Sequence, residues 1–100
     1  MFIVRGHFIE LENEDMDLMM SGAKTFVIRK NDRNFEESDL VCFVRKNCRG
    51  ASDYALGRIS HVTKSKQWFG NVVFGFNKIE RGETRDVKQF RDEFKKALSL

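Results

Sequence analysis

Four cations, Lys24, Arg29, Lys30 and Arg33, fall within ten residues of the stretch GAKTFVIRKNDRNF. Like charges gathered this closely repel one another unless water or an anionic partner offsets the repulsion. The chemistry they point to is anion binding, with phosphate or a nucleotide as the natural ligand. Arg29 offers a planar fork that grips two oxygens, whereas Lys24, two residues after Gly22, offers a movable point charge. Thr25 shares a strand face with Arg29 when the period is two. Asn31 and Asp32 are turn-forming residues that can also touch a ligand, and Asp32 can orient Arg29 or Arg33. The alternative is that Arg29, Lys30 and Arg33 are solvated, or pair with Glu36, Glu37 and Asp39, in which case they add little stability.

Other candidates lie apart in the sequence. His7 sits alone in a strand-like segment, either packed or poised to donate to an anion. Trp68, flanked by Lys64, Lys66 and Phe69, combines a stacking surface with cations, as single-stranded nucleic acid requires, and Tyr54 and Arg58 would extend it. The same tryptophan serves equally as a lid on the core. Arg45, Lys46 and Arg49 make a further basic loop able to track a phosphate backbone.

These residues need elements to hold them. FIVRGHFI reads as a first strand. ENEDMDLMMSG follows as a short helix, with acids early, Met16, Met19 and Met20 at helical spacing, and Gly22 as its stop. Thr25 to Lys30 is a second strand, whose faces are Thr25, Val27 and Arg29 against Phe26 and Ile28; the latter pair is assigned to the core. LVCFVRK, YALGRISHVTK and GNVVFGFNKI complete five strands, with Gly57 marking a bulge or bend and a further internal glycine implying curvature. Thr84 is expected to cap a last helix with Val87, Phe90, Phe94, Ala97 and Leu98 on its apolar side. The resulting class is α+β: a small, curved, mostly antiparallel β-barrel with a short helix after the first strand and an amphipathic C-terminal helix.

Composition narrows the context. One hundred residues make a single domain over 1–100, and ten phenylalanines imply a Phe-rich core. A formal charge of +3 permits nucleic-acid contact without arguing for it. Cys42 lies in an apolar run and Cys48 in a polar loop, so they read as one buried and one exposed thiol rather than a disulfide. No CxxC or second ligand cluster argues for a structural zinc, and no cofactor is expected. The N-terminal MFIVRGHFIEL is too short and too polar for a membrane span, so a cytoplasmic location is expected.

The segment from Gly22 to Arg29 resembles the GxKxxExR motif of ASCH domains, small β-barrels related to the PUA fold. His7, the helix and SGAKTFVIRKNDRNF are similar to a bacterial and phage branch that reads SGxKTFEIRKNDRxF and then opens a strand with Gly-Asp. The resemblance runs from His7 to about Leu40. Val27 stands where ASCH domains carry Glu, and Ser38-Asp39 where the branch has Gly-Asp. In amidohydrolase relatives that deacetylate N4-acetylcytidine, Lys24 matches a lysine implicated in catalysis, but the threonine nucleophile falls on Val27. Valine has neither a nucleophilic oxygen nor a titratable proton.

The resemblance implies an RNA- or nucleotide-binding domain with a basic cleft formed by His7, Lys24, Thr25, Arg29, Lys30, Asn31, Asp32 and Arg33; the setting of Trp68 among lysines adds it as a further contact. The enzymatic alternative is an amidohydrolase or ribonuclease in which Lys24 is catalytic. The third is a phage protein-interaction module that has kept the barrel and lost the ligand. RNA, single-stranded nucleic acid or a nucleotide is thus the expected partner, a protein partner the alternative.

Overall fold

The computed structural model describes residues 5–30, 34–63 and 71–98. Their order is β1 (Gly6–Leu11), α1 (Asn13–Ser21), β2 (Phe26–Lys30), β3 (Leu40–Arg45), β4 (Ser52–Thr63), β5 (Asn71–Thr84) and α2 (Val87–Leu98). The five strands form one sheet in the order β1-β3-β4-β5-β2. All pairings are antiparallel except β1 with β3, which run parallel because α1 and β2 intervene between them. The class is therefore α+β, with a mostly antiparallel sheet curled into a half-barrel, as the sequence led one to expect. Register shifts between Leu56 and Gly57 and between Ile59 and His61 bend the long β4–β5 ribbon. The curl brings the two outermost strands, β1 and β2, to opposite sides of one cleft.

α1 forms where expected. Glu14 and Asp15 occupy its first turn, favourable for the helix dipole, and Met16 and Met19 are buried beneath it. Gly22 ends it in the left-handed region at φ 86°, its N–H returning to the carbonyls of Leu18 and Met19. For α2, the cap is Asp86 rather than Thr84: β5 runs on through Thr84, and the Asp86 carboxylate accepts from the N–H of Gln89 at 3.1 Å. Ala97 is exposed rather than packed, while Val87, Phe90 and Phe94 join the core.

Two apolar clusters sandwich the sheet. Inside the curl, α1 covers Ile9, Leu11, Val27, Phe35, Val41, Phe43, Ile59 and Phe74. On the outer face, α2 covers Phe8, Cys42 and Val44, with Tyr54 and Leu56 beside them. Both cysteines are free. Burial pushes the Cys42 thiol up to about 12, so it stays protonated and unreactive at neutral pH. Cys48 is half-buried rather than exposed and donates to the carbonyl of Ala51. No helix among the described residues is long and apolar enough to cross a membrane.

The second strand faces the other way from the expectation. Val27 is 2 % exposed, whereas Phe26 and Ile28 are 48 % and 59 % exposed. Val27 lies opposite the fully buried Phe74 in the register with β5, and this pairing fixes which face of β2 enters the curl.

Ser38 adopts φ 74°, a conformation that glycine reaches without the steric cost a β-carbon imposes. Its N–H donates to Ile59 at 2.8 Å and its carbonyl accepts from Arg58 at 2.7 Å, and these bonds hold the strained turn. Ser38→Gly is expected to raise stability by up to about 1 kcal/mol, the relief of strain exceeding the added freedom of the unfolded chain. Chemical denaturation would measure it, and a loss of stability would show that the turn gains nothing from glycine.

Candidate functional site

β1 places His7 on the inner face, in line with Ile9 and Leu11, and its ring rests against Phe35 at 4.5 Å between centroids. Although only 7 % exposed, His7 lines the cleft. Its Nε2 donates to the Oδ2 of buried Asp39 at 2.8 Å, since a carboxylate can only accept. The same oxygen accepts from the N–H of Glu36 at 3.1 Å and lies 3.8 Å from the Arg5 guanidinium. Asp39 is also fixed through its backbone, its carbonyl accepting from Ile59 at 2.9 Å. Among the described residues Nδ1 has no hydrogen-bond partner and no buried polar side-chain atom is left unsatisfied, which makes Nδ1 the solvent-accessible nitrogen of a residue that lines the cleft. In a neutral ring it is an acceptor held in a fixed direction.

Arg29 enters the same cleft from β2, pointing inward as Val27 does. The cleft has a volume of about 920 Å³ and runs from β1 and the start of α1 toward the end of α2. Its charged lining comprises five cations, Arg5, Arg29, Lys46, Arg91 and Lys95, and three acids, Glu10, Glu12 and Asp15. Several are already matched: Arg5 with Glu36 at 2.8 Å and Lys46 with Glu12 at 3.1 Å. Among the described residues, Arg29, Arg91 and Lys95 make no ion pair, and of the acids only Glu10 lacks one, which leaves the cleft with a surplus of uncompensated positive charge.

The other expected residues are dispersed. Lys24 is at the rim, 3.5 Å from the Asp15 carboxylate that lines the cleft, with its ammonium 5.4 Å from the Phe26 ring centroid. The absence of a glutamate at position 27 therefore does not leave Lys24 without an acidic neighbour. Thr25 is exposed and does not line the cleft; its carbonyl accepts from the N–H of Phe76. Lys30 is exposed on the outer side of β2. Asn31, Asp32, Arg33 and Trp68 lie outside the described residues.

The pairings imagined for the motif's cations belong to other residues. Glu36 and Asp39 face Arg5, not Arg29 or Lys30. Arg45 is no free phosphate tracker: two bonds to Asp53, at 2.8 and 2.9 Å, and one to Asp17 at 2.6 Å hold it charged and occupied. Tyr54 lies against Phe90 under α2, and its hydroxyl, bonded to Glu80, is harder to ionise for that reason. Arg58 donates to the Ser38 carbonyl.

Sequence reasoning did not find Asp39 as the partner of His7, nor the α2 cations Arg91 and Lys95 as part of the cleft. No local pattern announces a contact across 32 residues, and the helix cations read as an ordinary solvated face.

A family model described as a domain of unknown function (DUF3850) matches residues 6–76. The matched segment contains His7, Lys24, Arg29 and Asp39, and ends before α2. No curated protein matches the chain.

Proposed function

For a chain that belongs to the DUF3850 family, we propose binding of RNA or a nucleotide in the cleft between β1 and β2. The observation that carries this reading is that Arg29 of β2 and His7 of β1 line the same cleft, beside a surplus of positive charge. The volume is within the usual range for small-ligand sites, about 300–1,000 Å³. Arg29 grips the phosphate, while the fixed Nδ1 of His7 accepts from a hydroxyl or base N–H. The resemblance of the Gly22–Arg29 segment to ASCH domains supports the same assignment, and with it a cytoplasmic PUA-related binding module, which two free cysteines suit.

The test is binding of short single-stranded RNA, duplex RNA, single-stranded DNA and free nucleotides at two salt concentrations. Salt-sensitive binding by the native chain, weakened about tenfold or more in Arg29→Ala, is the expected result. Binding that is absent, or equal in the variant, would overturn the assignment and direct attention to protein partners.

A further inference from the structure

The outer face of β2 is built unlike an ordinary solvated surface. Two cross-strand rows traverse β4, β5 and β2: His61, Gly75 and Phe26 in one, Thr63, Val73 and Ile28 in the next. Phe26 and Ile28 are among the large apolar side chains left exposed, and α2 covers a different part of the sheet. Gly75 forms a floor between two rings. A β-carbon there would lie 2.5 Å from Cε1 of His61, so the imidazole rests directly on the glycine backbone, one strand from Phe26. Neither row contains an acidic residue, whereas Lys24 stands over the Phe26 ring and Lys30 is exposed farther along β2.

We propose that this face is a base-stacking platform for single-stranded nucleic acid, on which a base lies against Phe26 while a neighbouring phosphate sits with Arg29 in the cleft. It deepens the cleft assignment and rests on it. Charge complementarity argues for the occupant: exposed planar and apolar groups in rows that hold no acid, flanked by Lys30 and by Lys24, whose one acidic neighbour among the described residues is Asp15 on the cleft side, suit a polyanion with flat bases. Continuity supports it as well. Arg29 and Phe26 lie on opposite faces of one strand, three residues apart, about 10 Å along the chain. Among the described residues β2 pairs only with β5, and no described strand pairs with its other edge, along which an oligonucleotide would pass from cleft to platform. Lys24 joins the two surfaces, touching Asp15 of the cleft lining and the Phe26 ring.

The ligand is then an oligonucleotide rather than a mononucleotide, and the two parts of the site separate experimentally. Fluorescence anisotropy with short oligoadenylate RNA and its DNA counterpart, and calorimetry with AMP, would be run on the native chain, Phe26→Ala, Phe26→Trp and Arg29→Ala. Phe26→Ala is expected to weaken oligonucleotide binding roughly tenfold and to leave AMP binding unchanged. Phe26→Trp should restore or strengthen the oligonucleotide complex, and Arg29→Ala should weaken both ligands. Equal oligonucleotide binding by native protein and Phe26→Ala, with loss in Arg29→Ala, would overturn the platform and leave the cleft standing. No binding by the native chain would overturn both. Sedimentation of the native chain as a dimer that Phe26→Ala dissociates would show that the face joins two copies, and would overturn the platform.

Discussion

Phe35→Ala is expected to destabilise the protein by about 3–5 kcal/mol, the usual cost of emptying a buried phenylalanine site. Phe35 is 1 % exposed, stacks on Phe74 at 4.9 Å and supports the His7 ring at 4.5 Å. Its removal leaves a cavity between the core and the cleft, because the close-packed side chains around it, Phe74 among them, relax only partially. Urea unfolding would show a lower midpoint at unchanged slope. Phe26→Ala is the control: the side chain is half exposed, and its loss should change stability by less than about 1 kcal/mol. Equal losses at the two positions would contradict the orientation of β2 and the role of Phe35. The Phe35 variant should also bind cleft ligands more weakly, because the imidazole loses the wall that aims it.

Asp39→Ala is the second large effect, about 2–4 kcal/mol, although it deletes few atoms. One carboxylate oxygen accepts from His7 and from the N–H of Glu36, with the Arg5 guanidinium beyond. Alanine leaves the buried His7 Nε2–H and the Glu36 N–H without that partner, and their desolvation is then uncompensated, while Arg5 keeps Glu36 and the Asn34 carbonyl. Asp39→Asn should lose less, because the amide oxygen still accepts one hydrogen bond. A double-mutant cycle with His7→Ala isolates the pair: with both partners gone the combined loss should fall short of the sum by about 1–3 kcal/mol. Strict additivity would mean that His7 and Asp39 act independently. The two aspartate variants should differ in binding as well, since asparagine can still fix the ring through Nε2 whereas alanine releases it.

The exposed phenylalanine and the buried one illustrate what local pattern can and cannot say. In Thr25–Lys30 the residues on both faces include strong strand formers, so period-two reasoning finds the strand but not its inner side. Phe26 and Ile28 carry more apolar surface than Val27, and the larger pair is the natural choice for the core. The register with β5 reverses that choice: Val27 faces Phe74 within the curl, and the larger residues are left outside. A strand whose hydrophobicity contradicts its burial marks a surface with work other than packing.

By itself the sequence determined the elements and their class. Alternation of branched and aromatic residues marked the strands, early acids with a terminal glycine marked α1, and the spacing of Val87, Phe90 and Phe94 marked α2, because these signals act over a few residues and depend on local geometry. It also marked Arg29 and His7 as residues of interest. Only the tertiary structure decided that these two line one cleft, that Lys24 leans on Asp15, and that Asp39 holds His7. The first depends on the bends of the β4–β5 ribbon, which curl the sheet until its outermost strands flank a shared opening, whereas the parallel pairing of β1 with β3 brings Asp39 to His7 and the chain turning back after α1 brings Lys24 to Asp15. A contact made by closure of a sheet is fixed by register and curvature summed over all its strands, and no short stretch of the chain contains that sum.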